Sequence, residues 1–173
     1  MKEPVKRIAF ILHGENLDHA DLIIALEQHF ATVEYMGSAF DFEQTKYYEK
    51  EMGRGLQRSV WSFEGLIDAS EAVNDKLLAV QIENDLRNSS AGRKFNVDVG
   101  YLDSDKVILT SFKKGPYKIY AHSGVWLDLV MNYSKGVFTG TSYTFSDFKI
   151  NPYQKDLMRI REFFKRDLKK LRS

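Results

Sequence analysis

A chain of 173 residues is long enough to bury about two-thirds of its unfolded surface in one globular domain, residues 1–173, without a disulfide or metal staple. Its composition, 43% hydrophobic and 28% charged with three prolines, excludes a disordered or low-complexity protein, and the absence of cysteine excludes disulfides, zinc–thiolate sites and cysteine nucleophiles. The net charge of +1 hides an asymmetry: residues 152–173 carry eight basic side chains against three acidic ones, on a mildly acidic remainder.

The first apolar run, Ile8 to Leu12, is too short for a signal core or a membrane span, so it reads as part of a buried strand from Val5 to Leu12 in a cytoplasmic protein. Asp18 then suits the start of a helix running to Phe30, with Leu22, Ile23, Leu26 and Phe30 as its apolar stripe. Thr32 to Met36 follows as a second strand, giving a β-α-β opening. The loop after the first strand holds one glycine, Gly14, and is neither a Walker loop nor a dinucleotide fingerprint.

Phe40 to Phe63 is dense in aromatic and charged residues. Thr45 to Met52 is irregular or a short helical turn, and Leu56 to Ile67 a strand that sets Arg58 opposite an aromatic face. Ser70 reads as the cap of a helix from Glu71 to Asn88 whose apolar arc contains Lys76, Glu83 and Arg87. Charges buried there must find partners or line a cleft, unless they snorkel to the rim.

Arg93 to Lys113 reads as two strands joined at Asp103-Ser104-Asp105. Phe95, Val97, Val99 and Tyr101 share one face, and Lys94, Asn96, Asp98 and Gly100 the other, which either meets water or lines a site. The second strand, Val107 to Thr110, is apolar on both sides. Strands from Tyr117 to His122 and Val125 to Tyr133 follow, the latter with Asp128 on its mixed face, and Thr141 to Phe145 reads as a last strand before Asp147. The C-terminal helix sets Tyr153, Leu157, Ile160, Phe164, Leu168 and Leu171 in one stripe. The fold class is therefore α+β, a mixed and mainly antiparallel sheet of about seven strands with three helices.

The ordered runs FDFEQTKYYEKEMGRGLQR, SFEGLI, GRKFNVDVGYL, VILTSFK, GVWLDLVMNYSKGVF and YTFSDF, which cover most of the chain, resemble an uncharacterised bacterial family, domain of unknown function 4416. The resemblance implies recurrent polar positions at Tyr47, Tyr48, Glu51, Arg58, Lys76, Glu83, Arg93, Asn96, Asp98, Lys113, Asp128 and Asp147, and some family members carry a GTP-binding label. This chain departs from the family pattern: Val99 replaces a proline, Tyr117-Lys118 replaces a His-Arg pair, and Asp128 stands where a glutamate is usual.

Three carboxylates, Asp98, Asp128 and Asp147, suit a hard metal, and Arg58, Arg93 and Lys113 with Asn96 suit phosphate oxygens; Asp98, Asp128, Lys76 and Glu83 are the catalytic expectation. The first functional expectation is a nucleotide- or phosphate-ester-binding protein, extending to metal-dependent phosphoryl or nucleotidyl transfer, with Mg²⁺ and GTP or another nucleotide as cofactors. The second is a non-enzymatic binding or assembly module, in which residues 40–63 contact a protein partner or a second copy. Nucleic-acid binding through the basic C-terminal helix ranks third, because the overall charge is near neutral. Scattered His13, His19, His29 and His122 without HExxH spacing, and no GxSxG elbow, argue against common hydrolases.

Overall fold

The structure, a computed structural model, describes residues 1–42, 48–87 and 92–173. In chain order its elements are β1 (Pro4–Gly14), α1 (Ala20–His29), β2 (Val33–Met36), β3 (Phe40–Asp41), α2 (Glu49–Met52), β4 (Leu56–Phe63), β5 (Ile67–Asp68), α3 (Ala72–Asp85), β6 (Phe95–Leu102), β7 (Lys106–Ser111), β8 (Lys118–Tyr120), β9 (Trp126–Ser134), β10 (Val137–Gly140), α4 (Ser146–Ile150) and α5 (Gln154–Arg172). The class is α+β. Seven strands run across one sheet in the order β10-β9-β7-β6-β1-β4-β2, with β3, β5 and β8 added at its margins and antiparallel pairing throughout the described ladders.

β1 is central, and it is apolar on both sides because both faces of the sheet are covered. Ile8 and Phe10 pack with Leu157, Ile160 and Phe164 of α5, while Ala9 and Ile11 pack with Leu22 and Leu26 of α1 and with Ala79 and Ile82 of α3. β4 lies between β1 and β2 and is antiparallel to each, so the strands joined by α1 run parallel without touching. Leu171 at the end of the expected α5 stripe stays exposed.

Four expectations shift. β4 ends at Phe63, ahead of a turn at Gly65 with φ of 74°. The carboxylate that caps the next helical turn belongs to Asp68, which accepts from Ser70 N at 3.2 Å, in place of Ser70 itself. The last strand is residues 137–140, and the stretch 141–145 turns away into α4. The third helix ends at Asp85, short of Asn88; Asn88 itself and Thr45 to Tyr47 lie outside the described residues.

α5 is fastened by charge as well as by its stripe. Lys6 is fully buried, donates to Phe63 O and Gly65 O at 3.0 Å each, and pairs with Asp167 of α5 at 2.6 Å and with Glu34 of β2. Arg166 binds Glu34 and Asp167, and Arg161 donates to Ser104 O. Among the described residues no helix is long and apolar enough to cross a membrane.

The imidazoles of His13 and His19 meet edge to face with centroids 4.4 Å apart. Burial, and then His13, lower the His19 pKa below its ordinary 6.5, with Asp18 acting in the opposite direction. The unfolded chain therefore binds more protons at this site, and the stability that His19 contributes, present above about pH 6.5, is lost as the pH falls through the lowered folded value. Urea unfolding between about pH 7.5 and about pH 5.5 is expected to show a larger loss of stability in the wild type than in His19→Asn.

Candidate functional site

β6 and β7 pair only from Gly100 to Leu102 against Leu109 to Val107. Gly100 makes that approach possible, since a Cβ there would lie 2.0 Å from Ile108 O. Gly100→Ala is expected to destabilise the fold by about 1–3 kcal/mol through overpacking, read as a lower urea midpoint. Before Gly100 the two strands part, and residues 95–99 of β6 keep only β1 as a ladder partner. Glu83 fills part of the vacated ladder: its Oε1 accepts from Val97 N at 2.6 Å, where a β7 carbonyl would otherwise sit.

A pocket of about 250 Å³ opens at this fork, with Lys76 reaching it from α3, Arg58 from β4, Asn96 and Asp98 from β6, and Asp128 from β9. Arg93 and Lys113 also line it. Asn96 and Asp98 of the polar face thus meet a pocket. Glu83 and Asp147 stand one layer behind the lining.

The supporting layer fixes the lining. Arg93 forks onto Glu51 with two 2.9 Å bonds and reaches Glu83 Oε2 at 3.1 Å and Asn96 Oδ1 at 2.9 Å. The Glu51 bonds are the main reason that the Arg93 pKa is raised, and burial pushes the Glu83 carboxyl up against the opposing pull of Val97 N, Lys76 and Arg93. Arg58 is buried between Asp147 at 2.9 Å and Asp98 at 3.0 Å, and its guanidinium lies over the Phe10 and Phe148 rings. Burial alone would depress the Arg58 pKa, but Asp147 and then Asp98 raise it above its ordinary value. The Tyr153 hydroxyl donates to Asp147 Oδ2 at 2.9 Å, and burial raises its pKa far enough to keep it protonated.

The three carboxylates of the metal expectation are each engaged by a protein cation. Among the described residues no three His, Asp or Glu side chains form a group that could hold a metal ion. Asp98 and Asp147 grip opposite nitrogens of Arg58, and Asp128 pairs with Lys118 at 3.2 Å, so a protein cation already neutralises each carboxylate. Both oxygens of Glu83, an expected catalytic residue, accept hydrogen bonds, from Val97 N and Arg93.

Among the described residues several donors of the lining lack a hydrogen-bond acceptor, Arg58 Nε among them. Asn96 is 5% exposed, and with its Oδ1 fixed by Arg93 its Nδ2 has no acceptor. Lys76 is 8% exposed, yet among the described residues no hydrogen bond or ion pair reaches its ammonium, which lies 5.7 Å from the centroid of the Phe112 ring. The lining holds five cations (Arg58, Lys76, Arg93, Lys113 and Lys118) against two carboxylates, Asp98 and Asp128. Behind the lining Glu51 and Glu83 pair with Arg93 and Asp147 pairs with Arg58, so it is the unsatisfied donors, and not a surplus of charge, that an oxygen-rich anion matches.

Sequence reasoning missed Lys118, Phe112, Phe145 and Tyr153. Lys118 stands at the expected His-Arg position and supplies a cation there, a signal available from its spacing to Asp128 on the adjoining strand. The rings carry no polar pattern to find.

Comparison with curated proteins and with solved structures finds no match. A family model described as a domain of unknown function, DUF4416, matches residues 3–164, and the chain belongs to that family.

Proposed function

We propose that this protein binds a phosphate ester, nucleotides included, with the phosphate seated at the fork of β6 and β7. The observation that carries this reading is the presence in one pocket of the Asn96 Nδ2, which has no acceptor, and of the Lys76 ammonium, which makes no hydrogen bond or ion pair among the described residues. Burial of either group without an acceptor is costly, and phosphate oxygens satisfy both. The engaged carboxylates Asp98, Asp128 and Asp147 favour binding over metal-dependent transfer. A charged phosphate ester does not cross a bilayer unaided, so the reading goes with a cytoplasmic protein.

Thermal unfolding with a panel of sugar phosphates and their parent sugars tests it. The phosphates are expected to raise the melting temperature, and the parent sugars to leave it unchanged. The shift is expected to survive a chelator, because no step of binding relies on a protein-held metal. No shift with any phosphate would overturn the proposal.

For the assembly reading, Phe42, Trp61 and Phe63 of the 40–63 region are buried and Phe40 packs on the core, so these four rings offer a partner little surface. For nucleic acid, Arg159, Arg161 and Arg166 of α5 are engaged by Glu162, by Ser104 O, and by Glu34 with Asp167.

A further inference from the structure

The pocket is graded from a polar floor to an aromatic mouth. Phe112, which is 46% exposed, and Phe145, which is 59% exposed, both line it, and Tyr48 completes the rim. Tyr48 and Phe145 also border a small apolar crevice beside the pocket, backed by Leu12 and Phe42, that shares Arg58 and Asp98 with it. Phe145 opens the short helix α4, and two residues away Asp147 is anchored on Arg58 and Tyr153, so the exposed ring stands on a fixed base.

Exposed rings gathered at the edge of one charged pocket form the kind of apolar patch, rimmed by polar residues, that marks a ligand-binding groove. A free inorganic anion gains nothing from them. At about 250 Å³ the pocket is smaller than the ~300–1,000 Å³ of sites that enclose a whole organic ligand, so a larger ester leaves its distal part at the rim. The Phe112 ring lies 5.7 Å from the Lys76 ammonium, which puts an aromatic face within a few bond lengths of any phosphate held by that lysine.

We propose that the ligand is a phosphate ester whose alcohol carries a planar ring, as a mononucleotide does, and that Phe112 and Phe145 select it by stacking. This rests on the phosphate-binding reading above. The floor supplies charge and is indifferent to what the phosphate is attached to, whereas the rim discriminates by ring. Stacking tolerates any base because every base has a π face, so the preference is for a ring over no ring and not for one base.

Calorimetric titration of the full chain with ribose 5-phosphate, AMP, GMP and the nucleosides adenosine and guanosine separates the two layers. Both mononucleotides are expected to bind at least about tenfold more tightly than ribose 5-phosphate. Phe145→Ala and Phe112→Ala, at exposed positions, are expected to bring the mononucleotide affinities down to that of ribose 5-phosphate in the same variant. Equal affinity for ribose 5-phosphate and the mononucleotides overturns the ring preference while leaving phosphate binding intact. Equal losses for all three phosphates in both phenylalanine variants also overturn it. Nucleosides that bind as tightly as mononucleotides overturn the phosphate reading instead, and no binding by any of the five overturns both. Circular dichroism on each variant separates a lost ligand contact from a lost fold.

Discussion

Replacing Arg58 by methionine is expected to destabilise the protein by about 3–5 kcal/mol, the range for removing one partner of a buried ion pair. The guanidinium is 3% exposed, and both of its terminal nitrogens are matched to carboxylates. Without it, Asp147 is left buried with only the Tyr153 hydroxyl, and Asp98 loses its partner. The aromatic cage of Phe10 and Phe148 would accept the methionine, so lost packing is a minor part. Urea unfolding of Arg58→Met measures the cost. In the double variant with Asp147→Asn the orphaned charge is gone, and most of the loss is expected to return.

Lys76→Met is expected to behave in the opposite way. The unliganded variant should be about as stable as the wild type, because the substitution removes a buried charge that makes no hydrogen bond or ion pair among the described residues and keeps the volume of the side chain, while the longer-range attraction to Glu83 is lost. Binding of a phosphate ester should fall about 30-fold or more, since losing one member of a buried charged hydrogen bond costs about 2–5 kcal/mol. A residue kept for packing would show the reverse, with lower stability and unchanged binding.

Much of the site was legible in the sequence because two periodicities intersect there. Alternation along residues 95–101 separated Asn96 and Asp98 from the core face, and helical spacing placed Lys76 and Glu83 inside an apolar arc. Both patterns say that a polar group is held where water is scarce, and the pocket is where they meet. Pattern could not say which acid meets which base. Asp147 was read as a metal ligand, yet it grips Arg58 from 89 residues away in the chain, and only the folded sheet reveals that pair. Asp75 went unmarked for the same reason: it is buried in α3 on Arg7 of β1 at 2.7 Å.

The fold was readable at its centre and less so at its margins. β1, β6 and β7 have long apolar or alternating runs, whereas β3 and β5 have two residues each and owe their assignment to β4 and β1 beside them. The last strand was set a few residues late because Thr141 to Phe145 is rich in strand-favouring residues. Those residues instead form the turn that presents Phe145 at the pocket mouth. Local preference gives way there to the entry of α4, whose Asp147 is held by Arg58 and Tyr153.

The most direct measurement is calorimetric titration of ribose 5-phosphate, with ribose as its control, into the wild type and into Lys76→Met. Saturable binding of the phosphate by the wild type, none of ribose, and a large loss in a folded Lys76→Met protein are expected. Equal binding of ribose 5-phosphate by the two proteins, or none by the wild type, would contradict an anion site at the fork of β6 and β7.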